Sequence, residues 1–238
     1  IGNLLVGFKY IGNIMNQLEQ EGKMDDFILG TEESHGFLIG NYARDKDAAG
    51  AAIWLAELAA ILKKQDKTLI DYLNEIYVEY GYCHNYLTEI RLTGVQGMDQ
   101  IAKIMQTLRT EPIESIDHFI LQKKYDRWQG TPHLSPTDTA SRNVIVLHME
   151  PTDIVSSCRI IARPSGTEPK LKFYIEMIGT PCTMETLEEQ KQILIEQRTT
   201  LEHILMIYSY GILGIEFPKR GFLLFWQLPL NDKLHYFE

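Results

Sequence analysis

Between residues 171 and 177, Leu171, Phe173, Ile175 and Met177 alternate with Lys172, Tyr174 and Glu176, the period-two signature of a strand with one buried face. The period then changes. From about Met184, Leu187, Leu194, Leu201 and Tyr208 recur at sevenfold spacing, which predicts a long helix laying one apolar stripe over a sheet. Upstream, "CRIIAR" (158–163) and "NVIVLHM" (143–149) predict two strands, "SIDHFILQKKY" (115–125) another, "GMDQIAKIMQTLRT" (97–110) a helix and "NYLTEIRL" (85–92) a further strand. This is α+β order, a mainly antiparallel sheet covered by helices. The turn-rich segment 126–142 reads as a loop between strands, with Ser141 a loop residue.

Before Tyr82 the pattern is that of an α/β segment. Ile11 to Leu18 predict a helix, and "DFILGT" (26–31) a short buried strand. "AAGAAIWLAELAAILKK" (48–64) is rich in strong helix formers, with Asp45 and Asp47 ahead of it as capping residues and Lys63 and Lys64 at its negative end. "TLIDYLNEIYVEYG" (68–81) predicts a second helix that stops at Gly81. The expected boundary lies near residues 82–90. It divides the chain into 1–87, the C-terminal part of an α/β domain, and 88–238, an α+β domain with an apolar tail from about residue 208.

A net charge of −9 with a pI near 5.3 argues against a nucleic-acid partner or an anionic-membrane surface, both of which demand a basic field. Any phosphate site must therefore be locally basic. The apolar runs 204–215 and 221–230 fall short of the roughly 18–20 apolar residues of a spanning helix, so no membrane partner is expected. Cys83, Cys158 and Cys182 are widely separated and suit neither a disulfide framework nor a structural zinc site; a reducing cytoplasm is the expected location. The chain starts at Ile1 without a signal-peptide pattern and is expected to begin inside a larger protein.

The candidate chemistry sits in "RPSGTEPK" (163–170), the turn between two strands. Consecutive amides of Ser165, Gly166 and Thr167 form a concave set of donors if Gly166 takes positive φ, and two hydroxyls add to them. Arg163 brings a planar fork suited to two phosphate oxygens and Lys170 a compact charge. The same residues also suit a plain hairpin turn set by Pro164 and Pro169, with its cations hydrated. A second segment, "GTEESHGFLIGNYARDKDAAGAA" (30–52), places Glu32, Glu33, Ser34 and His35 between a strand and a helix, where α/β domains hold ligands. Its carboxylates and hydroxyl can bind vicinal sugar hydroxyls, and equally form a solvated acidic loop.

Together these segments resemble the α-D-phosphohexomutases, the phosphoglucomutase and phosphomannomutase branch. "VGFKYIGN", "TEESHG", "ARDKDAAG" and "RPSGTEPKLKFYIE" follow one another in that family's order and cover about residues 1–200. The resemblance implies reversible phosphate transfer between C1 and C6 of an aldohexose, glucose first, through a bisphosphate, in a cytoplasmic isomerase that carries a phosphoserine and Mg²⁺. It implies that Glu32 and Ser34 bind sugar hydroxyls, that Gly7, Phe8 and Lys9 lie near the sugar with Phe8 as an apolar wall, and that Arg44 belongs to the same substrate-binding set. It places Lys46 near the reacting phosphate and makes His35 a candidate for proton transfer, although the order here is "SHG". Arg163, Ser165, Gly166, Thr167 and Lys170 would hold the phosphate that is not reacting. Neither a loop like "TASHNP" nor one like "DGDGDR" occurs in these residues; "TASRN" (139–143) lacks the following histidine and proline. The chain is therefore expected to bind no metal alone and to be inactive alone, with an N-terminal half of the same protein supplying phosphoserine and Mg²⁺. A phosphopentomutase and a non-catalytic phosphosugar-binding module are the alternatives.

Overall fold

A computed structural model of the chain describes residues 4–32, 36–92, 96–129 and 140–215. It divides into two compact units, residues 1–76 with 127–143, and residues 77–126 with 144–238. The apolar tail residues Phe217, Phe222, Phe225, Trp226 and Phe237 lie outside the described residues.

In the first unit, α1 (Phe8–Gln20) leads through a 3-10 turn at Met24–Asp26 to a two-stranded antiparallel ribbon, β1 (Leu29–Thr31) and β2 (Phe37–Ile39). Phe8, Ile11, Met15 and Leu38 form its small core. The predicted buried strand at 26–31 is corrected here: the strand spans only Leu29–Thr31, and Ile28 is 75% and Leu29 48% exposed among the described residues. Helix α2 (Ala48–Lys63) begins where Asp47 accepts a hydrogen bond from the Ala49 amide at 2.9 Å. Asp45 does not cap it; it binds Lys46 instead. Helix α3 (Leu69–Tyr80) follows, and the boundary between the units falls within it. Gly81, at φ 93°, ends it by accepting a left-handed turn that brings its Cα against Gly179, whose carbonyl oxygen would lie 1.9 Å from an added Cβ.

The second unit is built on a six-stranded antiparallel sheet. Its strands are β3 (Cys83–Arg91), β4 (Ser115–Ile116), β5 (Phe119–Asp126), β6 (Ile145–Met149), β7 (Val155–Pro164) and β8 (Lys170–Gly179), in the order β3-β8-β7-β6-β5-β4. The single strand expected over 115–125 is two, folded at Asp117, which takes the left-handed conformation at φ 55° that aspartate tolerates. One face of the sheet buries Leu171, Phe173, Ile175 and Met177 under α4 (Gly97–Thr110) and α5 (Leu187–Ile212), each such side chain contributing about 1.5–3 kcal/mol of apolar burial. The sevenfold stripe of α5 holds through Leu187, Leu194 and Leu201 and then fails, for Tyr208 is 40% exposed while Leu205, Met206 and Ser209 are buried. A straight helix drifts about 20° per heptad, so three heptads rotate the stripe off the sheet. The helix also continues past the expected start of the tail to Ile212.

Candidate functional site

Three of the sequence segments converge in the first unit. Gly7 stands at the N-terminal end of α1 with φ 125°, and its amide donates to Glu32 Oε1 at 2.8 Å. A carboxylate at a helix N-terminus meets unpaired amides and the positive end of the dipole, and it has more acceptor sites than this bond uses. Glu32 opens the tip of the β1–β2 ribbon, where its amide donates to the Gly36 carbonyl at 2.8 Å. Gly36 is needed for close approach, since a Cβ there would lie 2.7 Å from Glu32 Oε2 and 2.9 Å from Glu32 Cβ. Ser34 and His35 lie outside the described residues.

Phe8, expected as an apolar wall, is buried within the core of the unit, with the Lys46 ammonium 5.6 Å from its ring centroid. Lys46 also pairs with Asp45 Oδ1 at 3.0 Å, and its amide and ammonium together hold the Asp45 carboxyl below the usual carboxylate range. Arg44 is occupied by Glu19 at 3.0 Å and the Asn41 carbonyl at 3.1 Å. Lys9 places its ammonium 5.2 Å from the Tyr10 ring. Thus Gly7, Phe8, Glu32 and Lys46 are brought together, while Arg44 is engaged toward α1. Ser141 lies on a 3-10 turn at Ala140–Arg142.

In the second unit, the loop joins β7 to β8. Ser165 closes it by donating its amide to the Lys170 carbonyl at 2.8 Å. The amides of Thr167 and Glu168 both point at Ser165 Oγ, at 3.4 and 3.3 Å, so two donors converge on one oxygen through long bonds that a charged acceptor would better. Gly166, between Ser165 and Thr167, is exposed.

Strand register adds a residue that the sequence motif did not single out. Arg163 on β7 pairs directly with Lys172 on β8, and Lys172 with Glu89 on β3. Two like charges directly opposite on a ladder are unfavourable unless an anion joins them. Counting inward equally from both sides of the turn would have paired Arg163 with Lys172. Among the described residues neither makes an ion pair. Lys170, by contrast, is 14% exposed and bound to Glu168 at 2.8 Å, and this contact holds the Glu168 carboxyl below the usual range. Among the described residues no group of three or more His, Cys, Asp or Glu is placed to hold a metal ion, and no helix is long and apolar enough to cross a membrane.

Residues 3–80 match the family model described as phosphoglucomutase/phosphomannomutase, alpha/beta/alpha domain III. A probable phosphomannomutase of Haemophilus influenzae is 35% identical over 208 residues, 87% of this chain and 36% of that protein. The chain belongs to the phosphoglucomutase and phosphomannomutase family, in its C-terminal region. Phosphoglucomutases of Staphylococcus aureus strains MRSA252 and N315 are each 32% identical over 182 residues, 73% of this chain and 31% of theirs. The chain thus spans about a third of the length of the curated relatives it matches. The family's domain III accounts for the segments carrying Gly7, Glu32 and Lys46, and the sheet bearing Arg163 follows it.

Proposed function

We propose that this chain supplies the sugar- and phosphate-recognition regions of a phosphosugar mutase that interconverts hexose 1-phosphate and hexose 6-phosphate, glucose first, through a bisphosphate intermediate. The observation that carries the reading is the loop at 163–170, where two amides aim at one oxygen position beside Arg163 and Lys172, cations that make no ion pair among the described residues. Such a site fits a phosphate monoester: the guanidinium takes two oxygens, the amides a third, and Lys172 supplies charge. Glu32, ordered by Gly7, reads ring hydroxyls together with Ser34. Anchoring the remote phosphate turns its binding energy into alignment of the reacting group. Lys46 acts electrostatically near the reacting phosphate, and His35 is a candidate proton carrier in the same loop as Ser34.

The proposed reaction would draw its phosphoryl donor from a phosphoserine, whose charge Mg²⁺ would offset. Among the described residues no group is placed to hold Mg²⁺; both groups are proposed to come from other parts of the complete enzyme, for which a cytoplasmic setting is also proposed. In that enzyme, primed with hexose bisphosphate, Arg163→Ala is expected to raise the bisphosphate requirement at least about tenfold, the cost of losing a charged hydrogen-bond pair. Unchanged kinetics would remove the loop from the mechanism. Comparing glucose, mannose and ribose 1-phosphates as substrates tests the sugar, and preference for ribose would replace the hexose assignment with a phosphopentomutase.

A further inference from the structure

Lys170 and Lys172 stand two residues apart on the same face of β8, yet their surroundings differ. Lys170 lies 2.8 Å from Glu168 and 3.8 Å from Glu89. Lys172 has Arg163 on one flank and Glu89 on the other, by register. Glu89 also accepts a hydrogen bond from Arg91 Nε, and Arg91 is itself opposite Lys170. One half-buried carboxylate on β3 is therefore next to three of the four cations at this end of the sheet.

We infer that Glu89 is a positioning residue of the anion site: it draws Lys170 of β8 toward β3, engages the neighbouring Arg91 side chain and opposes the charge of Lys172, so that phosphate is gripped loosely enough to exchange. The inference rests on the proposed reading of the loop as a phosphate site. Without Glu89, Glu168 alone would offset four cations facing one another across three strands, and the outer pair would swing away from the loop. With Glu89 ionised, two of them are held, and an arriving phosphate meets Arg163 and Lys172 against the repulsion of a nearby negative charge. A mutase gains from that opposition. Its bisphosphate must release one phosphate to present the other, and a site that binds too tightly makes release the slow step. Lys170 then serves the loop's shape more than its charge, a reassignment of the role that the motif alone gave it.

The test is a titration of inorganic phosphate into the 238-residue chain at low salt, followed through the amide chemical shifts of Ser165, Gly166 and Thr167. Lys172→Met is expected to weaken binding at least about tenfold, and Lys170→Met several-fold less. Glu89→Gln is expected to tighten it about threefold, and Glu89→Asp, which keeps the charge, to stay within about twofold of the wild type. Damage to a purely structural residue cannot tighten binding. A Glu89→Gln variant that binds no better, or a Lys170→Met loss equal to that of Lys172→Met, overturns the inference. If Arg163→Ala binds phosphate as well as the wild type, the phosphate-site reading itself falls. If Arg163→Ala loses binding and Glu89→Gln fails to gain it, only the role of Glu89 falls.

Discussion

Strand β3 carries two charged systems on opposite faces, and they differ in water rather than in chemistry. Toward α5, Arg198 Nη1 donates to Glu202 Oε2 at 2.5 Å, with Arg198 8% and Glu202 0% exposed, and the guanidinium lies 3.7 Å over the Tyr86 ring. On the other face, Glu89 receives Arg91, whose side chain is 66% exposed, and faces Lys170. The dry pair has already lost its hydration, so removing either member strands the other. The wet cluster can exchange a protein partner for an anion at little cost. One strand thus faces a structural joint on one side and the proposed binding surface on the other, kept apart by the alternation of its side chains.

The joint runs the length of the contact. Gln190 accepts from the Tyr82 amide at 3.4 Å, Arg198 covers Tyr86, and Glu202 is buried at the far end of the contact, beyond Arg198. Twelve helical residues advance about 18 Å and six strand residues about 20 Å, so the two ladders keep step. The largest effect predicted for this pairing follows from it. Glu202→Ala should cost about 3–5 kcal/mol in chemical denaturation, because Arg198 remains buried without its counter-ion. The double variant Arg198→Met with Glu202→Leu should recover to within about 1 kcal/mol of the wild type. A small loss in the single variant would show that the two faces of β3 do not differ as described.

A smaller effect reads the same face through pH. Burial first, and then the Arg198 charge, push His84 below its usual 6.5, while burial pushes the Glu202 carboxyl above its usual 4.5. The unfolded chain therefore takes up a proton at His84 before the folded chain does, and this contribution to stability is lost as pH falls from 6.5 through the lowered folded value. Glu202 works in the opposite sense: the folded carboxyl protonates first, so its contribution rises as pH falls from the raised folded value toward 4.5. The expected observation is a stability that declines just below pH 6.5, with a slope below one proton's worth, about 1.4 kcal/mol per pH unit. In His84→Gln that decline should vanish. Its persistence there would assign it to another group.

The contrast between the faces also marks what the sequence could show. The alternation over 171–177 and the long helix over it were legible because each is a local period that burial amplifies, and so was the stop at Gly81. Arg163, Ser165 and Thr167 were legible as a motif, since a turn keeps its residues adjacent in sequence. Lys172 was within reach of a count from the turn, whereas Glu89 was not, because its place opposite Lys172 depends on register between strands more than eighty residues apart along the chain. Arg198 and Glu202, four apart on a helix, read from sequence as an ordinary surface pair, and only packing against β3 makes them dry. In the first unit, "DFILGT" gave too long a strand, because its apolar residues do not mark where pairing with β2 begins, which is at Leu29.

The smallest predicted effect is the one that completes the comparison. Arg91→Ala removes the exposed partner of Glu89, and exposed pairs contribute about 0–1 kcal/mol, reduced further by salt. Stability should therefore change by no more than about 0.5 kcal/mol at physiological salt, and less at about 1 M, where the screening length shrinks to about 3 Å. Arg198→Ala, the same truncation on the opposite face, should cost several times more and hardly respond to salt, because its partner lies where no ion can reach. The two truncations remove the same side chain, one on β3 and one on the helix packed against its other face, so the ratio of their costs measures burial. A ratio near one would mean that water reaches both faces of β3 alike, and the division between joint and binding surface would then have no physical basis.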